Sequence, residues 1–156
     1  LEGKRPELTD LPKLGFLRCV FKESLRLYPP VYIFGRIAIE DTEIMGMRVP
    51  KRTIVVVSPW TLQRRADLWP DPLCFDPDRF APENDKQRAA DAWIPFSDGP
   101  RICIGAHFAE LEAPLVLAKL LQRADFQLTS DAPIEPDASA TLRPKGGVPV
   151  RVHLRG

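Results

Sequence analysis

Cysteine is scarce in this 156-residue chain, limited to Cys19, Cys74 and Cys103. An odd, widely spaced set argues against a disulfide framework and for a reducing compartment. Histidine is scarcer still, with two residues, so a structural zinc site is poorly supplied. Long hydrophobic runs are missing too. The longest stretch without a charge is residues 53–63, well short of the ~20 apolar residues that cross a bilayer. Neither sign of charge dominates: 22 Lys and Arg against 21 Asp and Glu leave +1, which gives no reason to expect nucleic acid. No secretory leader is legible at the start, and Leu1 need not be a native N-terminus. Internal repeats and low-complexity segments are absent.

What the chain has in excess is proline, 17 residues grouped at Pro29-Pro30, between Pro70 and Pro82, and between Pro133 and Pro149. That grouping predicts long ordered coil beside helix and strand. A hydrophobic share of 44% and a charged share of 28% suit a soluble globular protein, so one compact domain with a core is expected.

Thr9 or Asp10 can cap a helix running to about Leu27, with Pro12 tolerated in its first turn. At ~100° per residue, Leu14, Leu17, Phe21, Leu25 and Tyr28 fall on one stripe. Cys19, Val20 and Leu27 lie opposite, which predicts a helix packed within the protein. Residues 36–39, 43–44 and 53–57 read as a small antiparallel sheet with a turn at Gly46. A short helix is expected over 59–65 and mostly coil over 69–96, a loop length that is usually functional. A second buried helix is predicted over 104–123, with Pro114 kinking it by removing the hydrogen bond to the Glu110 carbonyl. Residues 126–129, 141–143 and 148–154 read as closing strands around a Lys145-Gly146-Gly147 turn. The fold class is mainly α with small antiparallel β-sheets (α+β).

The densest signal is Phe96-Ser97-Asp98-Gly99-Pro100-Arg101-Ile102-Cys103-Ile104-Gly105, at the start of that second helix. A thiol there is placed to become a thiolate metal ligand, because a helix N-terminus carries partial positive charge and free N–H groups. Gly99 permits a turn that a side chain would obstruct, and Gly105 leaves room for a flat cofactor to come close. Thiolate is one of the few axial ligands that proteins offer heme iron, and it favours O–O cleavage. The alternatives at Cys103 are an inert buried thiol, a zinc site shared with His107, and a Cys-His hydrolase. For zinc, only Cys19, Cys74 and His153 remain as soft ligands, and none makes a close second pair.

Glu23-Ser24-Leu25-Arg26 sets a carboxylate and a guanidinium on one helix face. Alone, such a pair is usually solvated and worth little. Here it shares its side with Cys19, Val20 and Leu27, and Phe75-Asp76-Pro77-Asp78-Arg79-Phe80 follows downstream.

Taken in order, the three segments resemble the cytochrome P-450 family, over about residues 8–154. The resemblance implies that Glu23, Arg26 and Arg79 form a buried, architectural network, since buried charge is expensive unless paired and hydrogen-bonded. It implies that Cys103 ligates the iron of heme b (iron protoporphyrin IX), that Phe96 shields the sulfur from water, and that Arg101 meets a heme propionate. Arg36 would reach the other propionate, unless it is an ordinary strand-end arginine. Ile33, Phe34 and Ala140 fall in segments that commonly face substrate; for Ile33 and Phe34 a core role is equally open. Gln63 stands where the family often has histidine, and since that position is not the iron ligand, catalysis is not put in doubt.

The resemblance reaches only the C-terminal portion of the family's domain, so residues 1–156 are expected to be a fragment of one such domain. Missing are the long helix across the oxygen-binding face and the helices that roof the substrate pocket. The implied activity is monooxygenation: two-electron reduction of O₂ and insertion of one oxygen atom into a small, apolar organic substrate. Implied partners are the N-terminal part of the domain and a redox partner, ferredoxin or flavin reductase; the implied compartment is cytoplasmic. The isolated fragment is not expected to be competent. The other function class is a non-catalytic heme-binding or interaction module, stable alone. The first is favoured because Leu1 falls just upstream of a helix with no capping segment before it.

Overall fold

A computed structural model describes residues 1 and 3–156. A 3₁₀ turn, Leu8–Leu14, leads into helix α1, Gly15–Leu27. True α geometry therefore begins later than the sequence predicts. Pro12 sits inside the turn and supplies no N–H for an α-type bond, so the tighter coil persists. The helix stops at Tyr28 (φ −130°), where the following Pro29 disfavours helical backbone. Burial is confined to the C-terminal half, where Glu23, Leu25, Arg26 and Leu27 are covered on both sides of the helix as the two stripes predict, whereas Phe16 and Tyr28 are exposed.

Strand β1 (Phe34–Ile37) pairs antiparallel with β4 (Ile54–Val57), in register Phe34↔Val57 and Ile37↔Ile54. Between them, β2 (Thr42–Ile44) and β3 (Met47–Val49) form a separate hairpin. Its two-residue turn, Met45-Gly46, has positive φ at both positions, 51° and 79°, the twist that tight hairpins favour. The single sheet expected from the sequence is thus a ladder with a hairpin inserted. Strand β3 escapes periodicity because three residues carry too little of it.

Helix α2 (Pro59–Leu62) is capped by Ser58, whose Oγ accepts the Thr61 N–H at 3.2 Å. The coil after it contains only single turns, at Pro77–Phe80, in α3 (Pro82–Asp85), at Ala90–Ala92 and at Gly99–Arg101. Trp69, Phe80 and Ala92 are buried there as the core, with Cys19 of α1 packed against them. Aromatic contacts carry that core outward: Trp69 to Phe80 at 5.8 Å, Phe80 to Trp93 at 5.5 Å, Trp93 to Phe96 at 6.3 Å. The irregular segment is therefore ordered by ring packing rather than by backbone pairing.

Helix α4 spans Ala106–Arg123 with Pro114 inside it and fully buried. The helix as a whole is not buried in this chain. Phe108 and Leu111 are 66% and 45% exposed, and Leu120 and Leu121 are exposed as well, because nothing among the described residues covers them. Strands β5 (Ala124–Leu128) and β8 (Val150–Leu154) close an antiparallel ladder, and β6 (Pro136–Ala138) pairs with β7 (Leu142–Pro144). Strand β6 was not expected, since Pro-Asp-Ala has poor strand propensity. The architecture is mainly α with small two-stranded antiparallel sheets.

Candidate functional site

The cysteine loop is closed by its own backbone. The Cys103 N–H donates to the Phe96 carbonyl at 2.9 Å, and the Ile102 N–H donates to Gly99 at 3.1 Å. Gly99 sits at φ 69°, a region that favours glycine, and Ser97 adopts φ 65° beside it. The Cys103 carbonyl accepts the Ala106 N–H at 3.2 Å, joining the loop to the first residue of α4. Cys103 is exposed rather than buried, so the inert-thiol alternative loses its premise. A Cβ on Gly105 would meet only the Cys103 sulfur, at 3.8 Å, an ordinary contact. The chain's own atoms therefore do not demand glycine there; the space it leaves opens beside the sulfur.

An open cleft of ≈360 Å³ lies over that sulfur. Cys103, Phe96, Ser97 and Arg101 from the loop line one side, and Val31, Phe34 and Arg36 from the β1 region line the other. Arg36 donates from Nη2 to Ser97 Oγ at 3.0 Å and lies 5.0 Å from the Phe34 ring centre, which ties the two sides together. Neither Arg36 nor Arg101 is paired with a carboxylate among the described residues. Ile33 does not line this cleft, and neither does Ala140, which is exposed. The two segments are nonetheless neighbours. The Tyr32 hydroxyl lies 3.1 Å from the carbonyls of Ala138 and Ser139, and the Leu142 N–H donates to Pro30 at 2.9 Å.

No group of three or more His, Cys, Asp or Glu side chains able to hold a metal occurs among the described residues. A bare ion at Cys103 would thus find one protein ligand. The cleft instead offers one sulfur, apolar walls and two guanidinium groups without carboxylate partners. That donor set fits an iron porphyrin, which brings its own ring nitrogens and two carboxylates.

Behind the loop lies the ion network. Glu23 and Arg26 are fully buried and joined by two bonds, Nε to Oε2 at 2.6 Å and Nη2 to Oε1 at 2.8 Å. Arg26 also donates to the carbonyls of Gln63 at 2.8 Å, Pro72 at 2.7 Å and Cys74 at 3.0 Å. The Asp76 N–H donates to Glu23 Oε1 at 2.8 Å. Arg79 is more loosely attached. Its Nε is 3.6 Å from Glu23 Oε1 and makes no hydrogen bond, because that oxygen already accepts two donors. Only its Nη2 is satisfied, by Asp71 O at 3.0 Å.

Sequence reasoning noted Gln63 only as a departure from the family's usual histidine and passed over Arg64. Gln63 is fully buried, and Arg64 stacks on Trp60 with its Cζ 3.3 Å from the ring centre. Burial pulls the Arg64 guanidinium down to about 10, which leaves it charged at neutral pH. No local pattern marks either residue, because their partners are remote in sequence.

The family profile described as cytochrome P-450 matches residues 1–150. Pentalenene oxygenase of Streptomyces avermitilis is 39% identical over 142 residues, 91% of this chain and 32% of that protein. Cytochrome P-450 4V2 of Rattus norvegicus is 41% identical over 151 residues, 95% of this chain and 28% of that protein. Among solved structures, the cytochrome P450DA heme domain superposes with TM-score 0.88 at 29% identity, over 97% of this chain and 33% of its own. Retinoic acid bound cyanobacterial CYP120A1 gives TM-score 0.85 at 34% identity, over 95% of this chain and 34% of its own. The chain thus spans about a third of the length of the proteins it matches.

Proposed function

Since the chain belongs to the cytochrome P-450 family, we propose that it forms the sulfur-bearing wall of a heme-thiolate monooxygenase acting on a small, apolar organic substrate. The observation that carries this reading is the cleft itself. It gathers Cys103, Phe96 and Arg101 with Arg36, a residue 60 or more positions away in sequence. Residues 1–156 are read as the C-terminal portion of one such domain, with heme b as its cofactor.

When bound, the heme supplies activation of O₂ and transfer of one oxygen atom to the substrate. The chain's residues prepare for it. Cys103 lines the cleft and would offer its sulfur to the iron, with its backbone N–H tied to the Phe96 carbonyl so that the main chain beneath the sulfur is fixed. Phe96 lines the cleft beside the sulfur and would help keep water from it once the heme covers the cleft, which lowers the local dielectric. Arg36 and Arg101 hold the carboxylates of the cofactor and orient its plane. Phe34 presents an apolar surface to substrate, with Ile33 and Ala140 on the adjoining segments. The similar proteins pentalenene oxygenase and retinoic acid bound CYP120A1 support a small organic substrate. Electrons would come from a ferredoxin or flavin reductase, and three free cysteines support a reducing, cytoplasmic setting.

The test is Cys103→Ser in the full-length protein. The variant should lose the red-shifted carbonyl band of reduced, CO-bound heme; an unchanged spectrum would refute sulfur ligation.

A further inference from the structure

Among the described residues, Gln63 is the one neutral polar side chain that the fold buries completely, and each of its polar atoms is engaged. It stands between the end of α1 and the chain that enters the cysteine loop. A helix leaves its last four carbonyls without intrahelical donors. In α1 all four are met, the first by the capping backbone N–H and the other three by side chains from outside the helix. The Tyr28 N–H donates to Ser24 O at 2.7 Å, and the Arg64 guanidinium donates to Leu27 O. Gln63 Nε2 covers the two between, Leu25 O and Arg26 O, at 3.0 Å each. Its Oε1 accepts the Ile94 N–H at 2.9 Å.

That last bond reaches the root of the cysteine loop. The Ile94 carbonyl accepts the Ser97 N–H at 3.1 Å, Ser97 Oγ accepts Arg36 at 3.0 Å, and the Phe96 carbonyl accepts the Cys103 N–H at 2.9 Å. We propose that Gln63 is a positioning residue for the Cys103 thiolate. It fixes where residues 94–97 sit relative to α1, and so sets the direction of the Cys103 N–H and the seat of Phe96. This rests on the heme-thiolate reading above.

The chemistry explains the choice of residue. The site needs two donated hydrogens and one acceptor on a single short side chain, which an amide supplies. A carboxylate would face two carbonyl oxygens with no hydrogen to give. A neutral imidazole donates once and accepts once, so it could hold Ile94 and one of the two carbonyls. An aliphatic side chain would leave all three backbone groups stranded.

The experiment compares full-length, heme-loaded parent, Gln63→Leu and Gln63→His. After reduction under CO, the red-shifted band reports the thiolate, and its conversion to the thiolate-free form is timed. In Gln63→Leu the conversion should run about tenfold faster, the rate equivalent of ~1.4 kcal/mol, and the heme midpoint potential should move. Gln63→His should stay within about threefold of the parent, because it keeps the bond to Ile94. Parental conversion and parental potential in Gln63→Leu would overturn the proposal, even with a lowered melting temperature, since that pattern is bulk destabilisation alone. If Gln63→Leu does not fold, amide exchange in the parent decides. Ile94 should exchange as slowly as the last turn of α1, and exchange as fast as exposed loop amides overturns the proposal. A parent without the red-shifted band would sink the heme-thiolate reading, whereas a parental band with an indifferent Gln63→Leu would sink this one alone.

Discussion

Arg26 uses every N–H of its guanidinium, two on Glu23 and three on the carbonyls of Gln63, Pro72 and Cys74. Replacing a buried ion pair by apolar residues is often neutral, because desolvation offsets the attraction. Here the three carbonyls change that balance, since they lose their donor whatever happens to Glu23. Arg26→Ala should therefore cost ~3–5 kcal/mol, a large share of the ~5–15 kcal/mol that holds a typical domain. The double change Glu23→Leu with Arg26→Leu should recover little of it. Urea unfolding and heme content of the full-length protein test both; a double variant as stable as the parent would contradict the carbonyl argument. At the cleft rim, Arg36→Leu and Arg101→Leu should each speed heme loss by about threefold to tenfold, less than a buried pair would because both residues are exposed. Transfer of heme to apomyoglobin measures it, and unchanged rates in both variants would remove the arginines from the cofactor site.

At the scale of elements, local bonds can be separated from remote ones. Asp41 closes the base of the β2–β3 hairpin, accepting the Lys51 N–H at 2.8 Å and Arg48 Nη2 at 3.1 Å. Its carboxyl is held below the ordinary range, first by the backbone bond and then by Arg48. A depressed pKa means that this contribution is present above the ordinary carboxylate value and fades as pH falls through the folded one. Arg48→Ala should leave the Asp41 carboxyl still depressed in an NMR titration; a return to the ordinary value would show that the guanidinium, not Lys51, is the cause. The same distinction explains what the sequence made legible. Helices α1 and α4 and the cysteine loop show through because periodicity and a glycine turn act within a few residues, whereas the cap expected at Thr9 or Asp10 does not form: α1 starts after Leu14 with no side-chain cap. Glu23 and Arg26 are neighbours on one turn, so their pairing could be read directly. The roles of Gln63 and Arg64 could not, because their bonds to α1 join residues 37 and 38 apart. Strands β3 and β6 were missed for a different reason: three residues are paired by their hairpins rather than by any pattern of their own.

The molecule as a whole shows more surface than its mass requires. A compact monomer of 17.6 kDa should expose ~7,900 Å², whereas this chain exposes 11405 Å². Apolar side chains are part of the surplus, and α4 contributes Phe108, Leu111, Val116, Leu120 and Leu121 to it at positions spread around the helix. This is why the sequence pattern promised a buried helix that the chain alone does not bury. Exposed apolar patches of that extent drive association in water. The 156-residue chain produced alone should therefore bind an apolar fluorescent dye and elute from gel filtration above its monomer mass. Leu111→Glu with Leu120→Glu should weaken both signals, because the charges replace exposed leucines on opposite sides of α4 and neither residue lines the cleft. In the full-length protein the same double change should instead lower stability, by ~2–5 kcal/mol per buried leucine lost, if the rest of the domain covers α4. A dye-silent monomer from the isolated chain, or a full-length double variant as stable as its parent, would mean that these residues are not built to be covered.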